Sequence, residues 1–243
     1  MSDNTVKEEA LRLRQNIDAV YVAGKKAAGD YYDEFWDDFQ QNGNRTNYMY
    51  AFAGTGWSEE TLKPKYPIKI VDKNGERNAL GMFTYLHRDK NATDAIDMTE
   101  MCKVLDTSKA LTANNMFANG RAKNITLDLS SATTMNGTFN CSDSGYLNFI
   151  TLTVSEKCTD YRNIFNYCRD VTTVIFTDGS VIASDISFSY SNSLSAESVQ
   201  SIINALKDLT GETAKKVTFH TDIGNRLTDE QFEQIALKNW VLG

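Results

Sequence analysis

The chain has 243 residues, a formal net charge of −7, 12 phenylalanines, 11 tyrosines, two prolines and two histidines. That average charge repels a polyanion, and no basic cluster beyond pairs such as Lys215–Lys216 offsets it, which excludes nucleic acid as the expected partner. No run approaches eighteen apolar residues, so membrane insertion is not expected. The polar, acidic start Met1–Glu9 is unlike a signal peptide, so synthesis in the cytoplasm without export is the expectation.

Residues 1–42 read as a helical, coiled-coil-like arm. Val6, Ala10, Leu13, Ile17, Val20, Gly24, Ala27 and Tyr31 follow steps of 4, 3, 4, 3, 4, 3 and 4, a heptad seam. Gly24 weakens the helix by about 1 kcal/mol. Two readings stay open for this stripe: a homo-oligomer through residues 5–31, or docking on the chain's own body. From Tyr31 the stripe becomes aromatic, with Tyr32, Phe35, Trp36 and Phe39, and the spacing favours packing over a ligand site. Asp30, Asp33, Glu34, Asp37 and Asp38 read as a solvated face, because consecutive helical carboxylates do not converge as a calcium loop does.

Residues 43–99 read as a linker and a degenerate first repeat with an insertion. The linker is turn-rich around Gly54, Gly56 and Trp57. Ile70 then precedes Phe83 by 13 positions, with an insertion expected around residues 84–101.

Residues 100–192 carry an internal repeat with two landmarks. Leu105, Leu127, Leu152 and Ile175, taken as equivalent, step by 22, 25 and 23 residues; Phe117, Phe139, Phe165 and Phe188 step by 22, 26 and 23. In Ile125-Thr-Leu-Asp-Leu129 the apolar residues alternate, placing Ile125, Leu127 and Leu129 on one face of a strand. A strand this short cannot bury that face alone, so copies are expected to lie side by side, with the phenylalanines as a second row.

Residues 193–243 read as a capping unit. Ser195 suits the N-cap of a helix with Val199, Ile202, Ile203, Leu206 and Leu209 on one face and Thr210-Gly211 as its stop. A strand is expected at Lys216–Phe219. Thr228-Asp-Glu-Gln231 then fits a capping box opening a helix with Phe232, Ile235 and Ala236 inward, before Trp240–Leu242.

The stretch Leu105-Asp-Thr-Ser-Lys-Ala-Leu-Thr-Ala-Asn-Asn-Met-Phe117, echoed by Leu127-Asp-Leu-Ser-Ser-Ala-Thr-Thr-Met-Asn-Gly-Thr-Phe139, resembles the L-D-x-S…M-x-x-x-F pattern of BspA-like bacterial leucine-rich repeats. Cys141 and Cys168 sit near positions where that family often has cysteine. Later units depart from it, reading Leu152-Thr-Val-Ser and Ile175-Phe-Thr-Asp. The resemblance implies the fold class expected here: α+β, a leucine-rich-repeat-like β-solenoid of about four to six irregular repeats with a helical N-terminal arm and a C-terminal helical cap. The wording of residues 31–57 and 193–243 is similar to repeat proteins encoded by phages and prophages of gut Firmicutes.

Catalytic motifs are sparse. His87-Arg88-Asp89 imitates a kinase triplet, but position 94 is Asp94 where Asn is required and the companion motifs are missing. His220 is expected on the last strand, exposed. Cys102, Cys141, Cys158 and Cys168 contain no C-x-x-C, so reduced, buried thiols are expected rather than a zinc site or disulfides. Gly54-Thr-Gly56 lacks the preceding strand and third glycine of a dinucleotide loop. The sequence thus assigns no catalytic, cofactor-binding or metal residue and no cofactor. It implies a non-enzymatic repeat protein that binds protein or glycan, through surfaces such as Ser187–Ser193, as a phage or prophage virion component. The alternatives weighed are a cell-surface adhesin and a glycan-active enzyme.

Overall fold

The computed structural model describes residues 44–54, 57–64, 66–72, 77–87, 94–141 and 146–243. The arm, its seam at residues 5–31 and the aromatic stripe at 31–39 lie outside the described residues.

Among the described residues the chain forms twelve strands of two to five residues and four helices. The strands are β1 Asn44–Arg45, β2 Ile68–Ile70, β3 Ile96–Asp97, β4 Leu105–Asp106, β5 Arg121–Lys123, β6 Ile125–Asp128, β7 Tyr146–Leu147, β8 Phe149–Thr153, β9 Thr173–Phe176, β10 Ile186–Phe188, β11 Lys215–Phe219 and β12 Trp240–Leu242. The helices are α1 Thr99–Val104, α2 Ala196–Ala205, the single turn α3 Thr221–Gly224 and α4 Asp229–Leu237.

The expected α+β leucine-rich-repeat-like β-solenoid is therefore corrected. The content is mixed α/β, and the strands divide among four separate three-stranded parallel sheets, ordered β1-β2-β4, β3-β5-β7, β6-β8-β9 and β10-β11-β12. The repeat spacing predicts one row of anchors, but Leu105 pairs with Ile68 in the first sheet while Leu127 pairs with Leu152 in another. Helix α1 makes the break. Its Cys102 Sγ accepts the Thr126 N–H of β6 at 3.3 Å, so a side chain stands where a strand carbonyl would. Register also corrects the fourth anchor, since Leu152 faces Phe176 and Ile175 faces Thr151.

The local logic of β6 and β8 follows period-two alternation. Ile125 and Leu127 are buried while Thr126 and Asp128 are exposed, and Ile150 and Leu152 lie buried directly beside them. The far edge of this sheet is closed by α2. Ser198 Oγ accepts the Val174 N–H at 3.0 Å, and Ser201 Oγ accepts the Phe176 N–H at 2.8 Å. An edge strand otherwise exposes unpaired amides; here helix hydroxyls satisfy them.

The second row is longer than the repeat landmarks suggested. Phe52, Phe83, Phe117, Phe139, Phe165, Phe188 and Phe219 stack in one column, with successive centroids 5.1, 4.8, 5.9, 5.4, 4.8 and 5.9 Å apart. Trp57 meets Phe52 edge-on at 6.0 Å. Backbone hydrogen bonds tie the column together, as in Phe83 N–H to Met116 O and Phe117 N–H to Thr138 O, each 2.7 Å. Buried hydroxyls are spent on carbonyls nearby: Thr138 Oγ1 donates to Ala113 O and Met135 O, and Thr84 Oγ1 to Ala118 O.

Five of the seven phenylalanines are entered through a left-handed residue two positions earlier, Tyr50, Gly81, Asn115, Gly137 and Asn163, with φ between 50° and 65°; Phe188 and Phe219 are entered from strands. Glycine and asparagine are the residues that tolerate this region. Upstream, parallel bridges join Asn47, Asn78, Thr112, Thr134 and Asp160 in a line. The side chains of Asn47, Asn78 and Asp160 each accept the backbone N–H two residues on, a local turn that sets up the left-handed residue.

Asp160 is the ionisable member of that line. Arg162 reaches it through Nε and Nη2, both at 2.9 Å, and these bonds hold its carboxyl below the ordinary range against the opposing effect of burial. A depressed folded-state pKa contributes stability above the unfolded value of about 4 that drains away as pH falls through the folded value. Asp160→Asn keeps the turn, as Asn47 and Asn78 show, and is expected to flatten the loss of stability between about pH 5 and pH 2. Urea midpoints for both proteins across that range check it; identical slopes would contradict the assignment.

The C-terminal segment corrects several expectations. Ser195 caps α2, accepting from Ser198 N–H at 3.1 Å, but the helix ends at Ala205, and Leu206 turns extended to bridge Ile182. Thr228 and Gln231 form the capping box of α4. Of the residues expected inward on α4, Ile235 is buried, whereas Phe232 and Ala236 are exposed. Strand β11 stops at Phe219. His220 therefore lies off the strand, half-buried, and caps α3 by accepting the Asp222 N–H.

Candidate binding surface

Two positions after five of the buried phenylalanines come Tyr85, Asn119, Cys141, Tyr167 and Tyr190; the three tyrosines are exposed, whereas Asn119 and Cys141 are buried. Tyr85, Asn119 and Tyr167 there adopt φ of 57°, 57° and 58°. For asparagine this is ordinary; for a bulky side chain it costs about 1–2 kcal/mol.

Three tyrosines nevertheless hold such positions, Tyr50, Tyr85 and Tyr167, and all three are exposed, by 52%, 40% and 41%. Asparagine fills the corresponding left-handed position at Asn119, and glycine or asparagine fills those before Phe83, Phe117, Phe139 and Phe165, so tyrosine is not imposed by the turn. The Tyr50 ring lies over Gly81, which leaves no room for a Cβ there. Tyr167 also packs against exposed Tyr190, with ring centroids 4.4 Å apart and planes at 38°, and its presence raises the Tyr190 pKa. Close by in sequence, Arg169, Asp170, Asn192 and Ser193 are exposed. Of Ser187–Ser193, the stretch singled out in the sequence, Tyr190 supplies this ring, whereas Phe188 and Ser191 are buried.

The described residues bring few reactive groups together. His87 Nδ1 lies 2.7 Å from Trp57 O and Nε2 lies 3.2 Å from Asp94 Oδ1, so both ring nitrogens are occupied; Arg88 and Asp89 lie outside the described residues. The Asp94 carboxyl is held low chiefly by its hydrogen bond to His87. A cleft of about 480 Å³ between α2 and the Thr177–Ser180 turn contains Asp178 and Glu197, with no histidine, cysteine or lysine beside them. A second, of about 520 Å³, runs along α1 past Cys102 and exposed Phe149. Burial pushes the Cys102 thiol up to about 11, so it stands protonated as an acceptor for Thr126 N–H rather than as a nucleophile. Among the described residues no three histidine, cysteine or acidic side chains gather in a way that could hold a metal ion. No described helix is long and apolar enough to cross a membrane.

The sequence reading missed the tyrosine corners because it tracked buried anchors. The signal was present two positions before Phe52, Phe83, Phe117, Phe139 and Phe165, where only Gly, Asn and Tyr occur.

The chain matches no protein-family model, no curated protein and no solved structure.

Proposed function

We propose that this chain is a non-catalytic macromolecule-binding repeat protein whose exposed tyrosines engage a protein or a glycan. The observation that carries this reading is the presence of exposed tyrosines at left-handed corners where glycine or asparagine would relieve the backbone. Tyrosine offers a large amphipathic contact with few rotors to immobilise, and asparagine and serine supply adaptable hydrogen bonds around it, the composition of many recognition surfaces. The chain's net charge argues against nucleic acid as the partner. Service as an accessory of a phage or prophage virion is supported by the likeness of residues 31–57 and 193–243 to phage-encoded repeat proteins. A cell-surface adhesin is the second reading, favoured by the BspA-like wording of residues 105–139.

Tyr167→Asn tests the reading. Asparagine already serves the equivalent corner at Asn119, so stability is expected to change by less than about 1 kcal/mol, lost ring contact offsetting relieved strain. Binding to immobilised glycans and to purified cell-envelope proteins, wherever wild type binds, is expected to weaken more than about tenfold. Unchanged affinity across every wild-type ligand would remove Tyr167 from the surface.

A further inference from the structure

Cys141 and Cys168 belong to neighbouring turns, 27 residues apart in sequence, yet their sulfurs lie 3.4 Å apart. Both side chains converge on one acceptor, the Phe139 carbonyl, with Cys168 Sγ at 2.6 Å and Cys141 Sγ at 3.3 Å. The backbones that carry them are joined directly, Cys141 N–H donating to Asn166 O at 2.9 Å. Adjacent parallel segments hold their Cα atoms at about the separation a disulfide spans. The other thiols are placed differently: Cys102 accepts from Thr126 N–H, and Cys158 is directed at Asp160 O, 3.8 Å away.

We propose that Cys141 and Cys168 form a thiol-oxidation site that reacts with a low-molecular-weight disulfide and closes into a covalent cross-link between two neighbouring turns. The Cys141 thiol, the more exposed of the two at 7% against 1%, attacks the small disulfide RSSR. This forms a Cys141–SR mixed disulfide and releases one RSH. Cys168 then attacks Cys141 Sγ, forming the Cys141–Cys168 bond and releasing the second RSH. Two protein thiols are oxidised, one small disulfide is reduced, and the two thiol protons leave on the two RSH molecules. Burial pushes the Cys168 thiol up, so the second step waits on local opening of the turn. The closed product ties a long loop and should stabilise the fold by restricting the unfolded chain.

The full chain, reduced and unfolded, is refolded in a glutathione redox buffer, then quenched by alkylation and mapped by non-reducing peptide mass spectrometry. The expected result is a Cys141–Cys168 cross-link that outnumbers each of the other pairings, with Cys102 and Cys158 alkylated and a melting temperature several degrees above the reduced protein. Cys141→Ser should abolish both the cross-link and the rise. Cys102→Ser, which keeps an acceptor for Thr126 N–H, should change neither. Both thiols remaining alkylatable after refolding, a mixture dominated by other pairings, or a lower melting temperature for the oxidised form would each overturn the proposal. Refolding at equilibrium makes the result independent of how slowly the buried thiols react in the native state.

Discussion

Phe139→Ala is expected to cost about 3–5 kcal/mol of folding stability. Phe139 is fully buried and lies between Phe117 at 5.9 Å and Phe165 at 5.4 Å. Removing it leaves a void that its neighbours cannot fill, because each ring is fixed by backbone hydrogen bonds to the next turn, Phe139 N–H to Ile164 O among them. The cost therefore includes lost transfer energy and an unrelaxed cavity. Phe219→Ala is the control. That ring has one column neighbour, Phe188, and is 6% exposed, so its loss should be smaller. Urea unfolding followed by circular dichroism orders the two; a larger cost at Phe219 would contradict the column as the main interior.

The second expectation turns on sign. In a helix, serine to alanine ordinarily stabilises by a few tenths of a kcal/mol, since alanine is the better helix former. Ser198 and Ser201 of α2 face β9, where Ser198 Oγ takes the Val174 N–H and Ser201 Oγ both takes the Phe176 N–H and donates to Phe176 O at 3.2 Å. Removing both hydroxyls leaves two strand amides without their partners, one buried at Val174 and one beside the cleft at Phe176, at about 1–3 kcal/mol each. The double variant Ser198→Ala/Ser201→Ala is thus expected to lose roughly 2–5 kcal/mol. The amides of Val174 and Phe176 should also exchange with solvent faster than those of β8. A neutral or stabilised double variant would show that the helix does not complete the sheet.

These junctions mark the boundary of what the sequence could reveal. The phenyl spacing was readable at Phe117, Phe139, Phe165 and Phe188 because each is followed and preceded by a repeated apolar run. Phe52 and Phe219 join the same column, but their flanking segments had diverged too far to align. Ile175 and Phe176 are both apolar, so alternation alone could not decide which faces inward; register with Leu152 does. The break between the first sheet and the β6-β8-β9 sheet was not legible, since there six residues of helix, Thr99–Val104, deliver one sulfur to a strand amide. Hydrophobic pattern carries no trace of that bond. The tyrosine corners were half-legible. Gly81, Asn115, Gly137 and Asn163 announce a left-handed step in the sequence, whereas nothing in the pattern shows that Tyr50, Tyr85 and Tyr167 take the same backbone region.

The column has one more consequence. Within the column each inner ring has one ring before it and one after it, so its aromatic contacts are made with the neighbouring turns alone. A cavity opened at one ring is therefore felt first by the rings on either side of it, and only through them by the far end of the column.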